Sequence, residues 1–286
     1  MSLDKLYLAS DSKLNKQAND LIKSQPQMPY GDKHYKEVYQ VKVHDSLVMV
    51  KTNPRCSFGN ATETRIELNP SHFKSWDQAF DAVSFMVDPD SAVIKRIDHA
   101  VDMHIPLQVV HESVRVKFKQ DFVPYWETHK REVMTGMYFG NKPEAHCYYD
   151  KGFSILGPRK AKRVPGNNVG VTTRFEVRQF KQKIQYPRLL DIQRYSGLNP
   201  FENIQFFEID QSAIGKRADA LKQLLPKQGL RGLYNELNRD HNAMRVLKDL
   251  KQRDLAAELY EGYRDNLRQY FNDESKVEEN GGKHES

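Results

Sequence analysis

The stretch Lys95-Arg96-Ile97-Asp98-His99-Ala100-Val101-Asp102 combines apolar residues with two carboxylates four positions apart. Alternate side chains of a β-strand point to opposite faces, so this stretch, read as a strand, places on one face Arg96, Asp98, Ala100 and Asp102. Carboxylates inside an apolar strand are costly unless they are paired, hydrogen-bonded or bound to a metal ion. The sequence therefore predicts either a metal site or an ordinary cross-strand ion pair of Arg96 with Asp98 at a sheet edge.

Strand and helix patterns surround this acidic strand on both sides. Before it, alternating or apolar runs predict strands at 35–43, 47–50 and 64–68 and an amphipathic helix at 71–87. After it, the same criteria predict a strand at 114–118, a hairpin of 137–140 with 146–149, and a strand at 171–180. Strands joined by hairpins and a separate helix predict an α+β protein with an antiparallel sheet.

The predicted domains follow one another along the chain. They are a polar N-terminal arm at 1–31 with a short helix near 14–22, a first α+β half at 32–90, a second α+β half at 91–211 that contains the proposed active site, a helical C-terminal region at 212–272, and a disordered tail at 273–286. Within the second half, 157–170 is predicted to be an open basic loop and 188–211 a mixed connector.

One short pattern occurs twice. Thr64-Arg65-Ile66-Glu67-Leu68 and Thr173-Arg174-Phe175-Glu176-Val177 both read Thr-Arg-apolar-Glu-apolar, with the arginine and glutamate on one strand face. Five residues can repeat by chance, and the spacing is not that of a repeat array. The similarity nevertheless suggests two related α+β halves.

The charge balance favours an anionic partner. Lys and Arg number 44 against 38 Asp and Glu, which gives a net charge of +6 and a pI of about 9.0. Nucleic acid is the commonest large anionic partner, although the excess is modest. Four basic residues that fall in the 157–170 loop, and two on the following strand, are predicted to contact DNA: Arg159, Lys160, Lys162, Arg163, Arg174 and Arg178.

Cysteine content and apolar patterning predict a cytoplasmic protein. Cys56 and Cys147 are the two cysteines of the sequence, which gives no disulfide framework and no metal-type spacing. The start Met1-Ser2-Leu3-Asp4-Lys5 lacks the features of a signal peptide. No apolar run approaches the ~20 residues that a membrane span requires.

A constellation in the second half has the residue types of a metal-assisted phosphoryl transfer site. Carboxylates such as Asp98, Asp102 and Glu176 suit Mg²⁺ or Mn²⁺, which prefer oxygen ligands and accept phosphate oxygens as further ligands. Tyr138 lies beside a glycine turn, where its hydroxyl could act as a nucleophile toward phosphorus. The alternative is that Tyr138 is one of several tyrosines packed in a strand.

The order of four motifs resembles the rolling-circle replication initiators of the Rep-trans family, which serve small plasmids and some filamentous phages. The motifs are the acidic strand at 95–102, Gly136-Met137-Tyr138-Phe139-Gly140-Asn141, Tyr149-Asp150-Lys151-Gly152, and Thr173-Arg174-Phe175-Glu176-Val177. Arg65-Ile66-Glu67-Leu68-Asn69-Pro70 resembles the first-half strand of that family, and the helical C-terminal region also fits. The resemblance covers about residues 35–270.

The resemblance implies a nicking and joining enzyme with an HUH-like, ferredoxin-like antiparallel core, although without the paired histidines of HUH endonucleases. It implies that Tyr138 cuts one origin DNA strand and stays bound to the 5′ phosphate while the 3′-OH primes replication. Metal ligands would be Asp98, Asp102 and Glu176, with Lys151 and His104 as further candidates for phosphate or metal contact. It also implies a homodimer and a host helicase partner.

Two departures from the family pattern affect the expected site. The loop 141–145 is neither basic nor serine-containing, and Cys147 stands where the family usually has an arginine. Tyr148 and Tyr149 therefore remain alternative nucleophiles. Two functional alternatives also remain, namely a DNA-binding protein of the same fold without nicking activity and an unrelated α+β interaction protein whose acids and arginines form only ion pairs.

Overall fold

The computed structural model describes residues 3–29, 32–55, 62–117, 122–126, 134–140, 142–154, 162–163, 172–208, 229–230 and 251–271. Its strands are, in chain order, β1 (Leu3–Ser10), β2 (Tyr35–Val43), β3 (Ser46–Pro54), β4 (Thr64–Leu68), β5 (Val93–Met103), β6 (Val114–Val116), β7 (Phe122–Trp126), β8 (Met134–Phe139), β9 (Glu144–Asp150), β10 (Phe153–Ser154), β11 (Lys162–Arg163), β12 (Thr173–Phe180), β13 (Ile204–Glu208) and β14 (Lys251–Arg253). Its α-helices are α1 (Lys16–Lys23), α2 (Trp76–Met86), α3 (Leu107–Ser113) and α4 (Leu255–Phe271). The protein is α+β with antiparallel sheets, as the sequence predicts.

The chain forms two compact units, each assembled from segments that are distant in sequence. Unit 1 comprises Met1–His99, Arg178–Leu198 and Tyr263–Ser286, and unit 2 comprises Ala100–Val177 and Asn199–Gly262. The chain passes from unit 1 to unit 2 within β5 and returns within β12. This division differs from the consecutive halves that the sequence predicts, because strand pairing joins segments regardless of their order along the chain.

Unit 1 contains strands in the order β2-β3-β4-β1-β5, with each neighbouring pair antiparallel. β2 and β3 are joined by the two-residue turn His44-Asp45, whose φ angles of 47° and 63° match the twist of a tight hairpin. β1 lies between β4 and β5, so the prediction of a polar arm is wrong for Leu3–Ser10. The strand forms because the apolar side chains of its alternating pattern are fully buried: Leu6 and Leu8.

The helices of unit 1 cover the apolar side of this sheet. α1 confirms the short helix predicted near 14–22. α2 begins at Trp76 rather than at 71, because Pro70–His72 forms a 3₁₀ turn and the Ser75 side chain caps the helix by accepting from the Gln78 N–H at 3.4 Å. The C-terminal end of α4 packs on α2, where the Trp76 ring lies 5.7 Å from that of Phe271.

Unit 2 contains the end of β5 followed in strand order by β12, β9, β8 and β7. The predicted hairpin is confirmed as antiparallel β8 and β9, with Tyr138 opposite Cys147 and Gly136 opposite Tyr149. β7 pairs with β8 on the other side. The apolar side of this sheet contacts α3, in which Leu107 and Val110 are buried.

Three short strand pairings in unit 2 differ from the sequence predictions. Within the predicted open loop, Lys162–Arg163 forms a strand that pairs with Phe153–Ser154. β13 falls in the predicted connector and β14 in the predicted helical region, and both belong to a small sheet with β6. The last helix of that region is confirmed as α4. Most of the predicted helical region, and the predicted tail at 273–286, lie outside the described residues.

No helix among the described residues has the length and apolar composition needed to cross a membrane.

Candidate functional site

Tyr138 and Tyr149 lie on the same face of the unit 2 sheet. Tyr138 is opposite Cys147, and residues two apart on a strand share a face, so Tyr149 is on the face of Cys147 and Tyr138. The opposite face carries fully buried side chains that form the apolar core: Met137, Phe139 and Tyr148. Tyr138 and Tyr149 are each half-buried. We call the face that carries them the polar face of unit 2.

Tyr148 is a core residue, and its environment disfavours it as the alternative nucleophile. Its ring lies 5.5 Å from that of Phe139 and 4.9 Å from that of Phe175, and its hydroxyl lies 3.0 Å from Nδ1 of His146. Burial raises the pKa of the Tyr148 hydroxyl well above its ordinary value, because a phenolate is poorly solvated there. Of the two alternatives to Tyr138, only Tyr149 lies on the polar face.

Asp102, Lys151 and Arg174 form an ion-pair cluster on the polar face of unit 2. Lys151 Nζ donates to Asp102 Oδ2 at 2.7 Å, and Arg174 donates from Nε to Oδ1 at 2.7 Å and from Nη2 to Oδ2 at 3.1 Å. Burial by itself would raise the pKa of Asp102, but the hydrogen bonds and charges of Arg174 and Lys151 outweigh it and hold that pKa below its ordinary value. Asp102 is therefore an ionised carboxylate at neutral pH.

Glu176 occupies the same strand face as Arg174, two residues further along β12. Its side chain is almost completely buried and accepts a hydrogen bond from the Tyr149 hydroxyl at 3.3 Å. The contact places Glu176 and Arg174 on the face that carries Tyr149, and hence Tyr138. Sequence analysis proposed these residues separately, and strand pairing within unit 2 brings them together.

Asp98 belongs to unit 1, where it pairs with Arg96. Arg96 donates from Nε and Nη2 to the two carboxylate oxygens of Asp98 at 2.7 and 2.5 Å. The predicted ion pair exists, but it runs along one strand rather than across two. It also lies inside the sheet rather than at its edge, because β5 has neighbours on both sides and the Asp98 side chain is 0% exposed. Arg178 Nε lies 3.9 Å from the same carboxylate.

The three predicted metal ligands each bind other side chains. Among the described residues there is no group of three or more His, Cys, Asp and Glu side chains positioned to hold an ion. The oxygens of Asp98 and Asp102 bind guanidinium and ammonium groups, so an ion would have to displace these cations. The metal site stays a prediction.

The remaining candidate residues have varied positions. His104 Nδ1 lies 3.1 Å from the Thr172 hydroxyl in unit 2, and both residues are partly exposed. Lys162 and Arg163 form β11. Arg159 and Lys160 lie outside the described residues.

Sequence analysis missed the polar residues of β1. Tyr7 lies in the strand Leu6-Tyr7-Leu8, whose alternation is short and was obscured by the polar composition of the following residues. The signal that could have identified it is the apolar spacing of Leu3, Leu6 and Leu8.

No protein-family model matches this chain, and no curated protein matches it at a significant level.

Proposed function

We propose that the protein is a replication initiator that nicks and rejoins one DNA strand at an origin and so starts rolling-circle replication. The observation that carries this proposal is the shared face of Tyr138, Lys151, Arg174 and Glu176 in unit 2. A sheet face that carries a tyrosine hydroxyl, two cations and a carboxylate has the groups that a phosphodiester transfer requires. The order of the motifs resembles that of the Rep-trans initiators, which supports the same reaction.

The reaction transfers a phosphodiester bond from DNA to Tyr138. The tyrosine oxygen attacks phosphorus and forms the Oη–P bond, while the P–O3′ bond breaks. The tyrosine proton passes to a carboxylate or to water, and the departing 3′ oxygen takes up a proton to become the 3′-OH. Rejoining reverses these steps. Lys151 and Arg174, which bind Asp102, are the donors that we assign to the phosphate oxygens.

The substrate and partners follow from the same proposal. The substrate is single-stranded or cruciform origin DNA in the cytoplasm, and the partners are a second copy of the chain and a host helicase. We also propose a duplicated HUH-like core, because β4 and β12 carry the repeated five-residue pattern and each contains a Thr-Arg-apolar-Glu strand. Mg²⁺ or Mn²⁺ is the proposed cofactor, and its requirement is tested by chelation.

A DNA-binding protein of this fold without nicking activity is the second candidate. Asp98 and Asp102 are each bound by an arginine, which favours a structural role for both carboxylates. In addition, Cys147, opposite Tyr138, is buried and stands where an arginine is expected. Under this candidate, the polar face binds phosphates without cutting.

The experiment that separates the two candidates detects a covalent adduct. The purified protein is incubated with a labelled single-stranded oligonucleotide library and Mn²⁺ or Mg²⁺, with and without chelator, and the products are examined by denaturing gel and mass spectrometry. We expect an adduct in the wild type that is absent in Tyr138→Phe and retained in the matched control Tyr260→Phe, a half-buried tyrosine of α4.

The other outcomes each support a different conclusion. An adduct that persists in Tyr138→Phe and disappears in Tyr149→Phe assigns the nucleophile to Tyr149. An adduct that forms in the presence of chelator contradicts the metal requirement. DNA binding without an adduct, under any of these metals, supports the second candidate. No adduct and no salt-dependent DNA binding supports an interaction protein whose charged residues form only ion pairs.

A further inference from the structure

The unit 1 sheet has a polar face of its own, opposite the face that the helices cover. The strand register places Lys51 beside Arg65, Glu67 beside Tyr7, and Tyr7 beside Arg96. Partners in antiparallel strands share a face, so these residues form adjacent rows across β3, β4, β1 and β5. Arg178 joins the same face through its contact with Asp98. We call this surface the arginine face.

Tyr7 holds two arginines of the arginine face. The guanidinium carbon of Arg65 lies 5.3 Å from the centroid of the Tyr7 ring and that of Arg96 lies 4.8 Å from it. The Arg96 guanidinium also lies 5.4 Å from the Phe180 ring. A guanidinium stacked on an aromatic ring is attracted to it and keeps its N–H donors at the edge of its plane. Stacking on Tyr7 therefore orients the N–H donors of the two arginines without using those donors in a hydrogen bond.

Cations exceed carboxylates on this face, and two of its arginines are more exposed than the carboxylates they contact. Its described members are five cations, Lys5, Lys51, Arg65, Arg96 and Arg178, and three carboxylates, Asp32, Glu67 and Asp98. The exposed fraction of the Arg65 side chain is 29% against 14% for its partner Glu67, and Arg178 is 23% exposed against 0% for Asp98. These two carboxylates pair with the arginines from the side nearer the protein interior. The face therefore presents net positive charge.

The hydrogen-bonding capacity of the arginines is larger than these ion pairs use. Each guanidinium has five N–H donors, and the bonds of Arg96 to Asp98 involve its Nε and Nη2. Phosphate oxygens accept from guanidinium groups in the same bidentate manner as carboxylates. Guanidinium planes are also surfaces on which nucleobases stack, although the Arg96 guanidinium already contacts the rings of Tyr7 and Phe180. Arginines in rows, spaced by strand neighbours and supported by aromatic rings, thus match a chain of alternating phosphates and bases.

We propose that the arginine face of unit 1 binds single-stranded DNA. The arginines contact phosphates and bases, and Tyr7 is a positioning residue that holds Arg65 and Arg96. This surface goes beyond nicking by Tyr138, because it is formed by other residues and requires no covalent step. It gives the protein a non-catalytic contact with the displaced or template strand, and such contacts are sequence-tolerant and salt-dependent.

The test measures binding of fluorescein-labelled oligothymidylate to the full chain by fluorescence anisotropy, over roughly 50 to 200 mM salt. Arg65→Gln is expected to weaken binding about fivefold at the lowest salt and to reduce the slope of log K against log salt by about 0.7, the value for one lost phosphate contact to a single strand. The matched control is Arg264→Gln, because Arg264 is 33% exposed and also pairs with a carboxylate, that of Asp265. It should change affinity less than about twofold, with an unchanged slope.

Tyr7 supplies the second arm of the test. Tyr7→Leu removes the ring and is expected to weaken binding to a similar extent, whereas Tyr7→Phe keeps the ring and should restore the wild-type affinity. Circular dichroism melting of each variant identifies any that fails to fold, and Arg65→Gln decides the question if Tyr7→Leu is unfolded. A general loss of stability would not be accompanied by a reduced salt slope.

Three results would overturn the proposal. These are equal effects of Arg65→Gln and Arg264→Gln, wild-type binding by Arg65→Gln, or competition by polyglutamate as effective as competition by unlabelled oligothymidylate. The last would assign the face to acidic peptides. Binding that is weakened by Arg65→Gln, with no adduct in the wild type, would be a failure of the nicking proposal alone. An adduct in the wild type, with wild-type binding by Arg65→Gln, would be a failure of this proposal alone.

Discussion

Thr64 and Thr173 make equivalent hydrogen bonds in the two units. The Thr64 hydroxyl donates to the carbonyl oxygen of Ser12 at 2.9 Å, and the Thr173 hydroxyl donates to that of Ile105 at 2.6 Å. Ser12 lies two residues beyond the end of β1, and Ile105 lies two residues beyond the end of β5. In each unit, the threonine that begins the repeated pattern thus binds the segment that follows the neighbouring strand. That segment leads from β1 to α1 in unit 1 and from β5 to α3 in unit 2.

The Thr173 bond is predicted to contribute to stability. Thr173→Val keeps the shape of the side chain but leaves the buried Ile105 carbonyl without this donor, so the free energy of unfolding should fall by about 1–2 kcal/mol. Thr173→Ser retains the hydroxyl and should lose less. Urea denaturation measures both. A loss in Thr173→Val no larger than that in Thr173→Ser would contradict the assignment of this stability to the hydrogen bond.

Asp102 is predicted to stabilise the fold in a pH-dependent manner. Its pKa is lower in the folded than in the unfolded protein, so its contribution is present above the ordinary carboxyl value of about 3.9 and is lost as the pH falls through the folded pKa. Because about a third of the side chain is exposed, the contribution should stay below about 1 kcal/mol. Asp102→Asn should therefore be less stable than wild type at neutral pH.

The measurement for Asp102 is urea unfolding of wild type and Asp102→Asn over a pH series. The difference between them should shrink as the pH falls below about 4, because the wild-type carboxyl then becomes neutral as well. A difference that stays constant down to acid pH would contradict the assignment. The control variant is Glu258→Gln, because the Glu258 carboxylate also pairs with an arginine, Arg253, and its side chain has a similar exposed fraction.

The pairing of Arg96 with buried Asp98 predicts a strong asymmetry between single and double substitutions. Arg96→Met leaves the buried Asp98 carboxylate without its bidentate partner and should cost about 3–5 kcal/mol. Combining it with Asp98→Leu removes that carboxylate and should recover most of the loss. Chemical denaturation of the two variants provides the comparison. If Asp98 instead serves mainly as a metal ligand, added Mg²⁺ or Mn²⁺ would raise the wild-type unfolding midpoint and leave that of Asp98→Leu unchanged.

Gly229 is predicted to tolerate no side chain. It has a φ angle of +67°, and a Cβ atom there would lie 2.5 Å from Cε1 and 2.6 Å from Nδ1 of the His111 ring. Gly229→Ala should lower the free energy of unfolding by about 1–3 kcal/mol, through the overlap and the unfavourable backbone conformation. Gly197→Ala is the matched control, since nothing lies within 4 Å of its added Cβ, and its melting temperature should remain close to wild type. Similar melting temperatures for both variants would refute this account.

Local patterns predicted those parts of the fold in which periodicity and end signals agree. The bounds of β4 match the prediction, and the hairpin turn at His44-Asp45 and the helix α4 lie where expected. β1 was missed because its alternation is short, at Leu6-Tyr7-Leu8, and because a polar segment that resembles an arm follows it. β13 and β14 were not predicted, and their pairing in one sheet with β6 is fixed by tertiary structure.

For the site, the sequence predicts which residues of one strand share a face, but not which strands are neighbours. Alternation correctly placed Arg174 with Glu176 on one face, and Asp98 with Arg96. The partners of Asp102 depend on which strands are neighbours, and no sequence pattern links it to Lys151, 49 residues away. The N-terminal strand that carries Tyr7 supplies the arginine face, so missing this strand concealed the whole surface.

The composition of unit 1 has a consequence for how the protein is made. Its first 99 residues leave the ribosome long before Arg178–Leu198 and the last turns of α4, which belong to the same unit. Until Tyr263 emerges, buried His99 lacks the hydroxyl that lies 2.6 Å from its Nδ1, and Trp76 lacks the ring of Phe271. In a nascent chain, part of the core of unit 1 therefore stays uncovered through most of translation. Chaperone protection during synthesis matters more for this protein than for one whose domains follow one another along the chain.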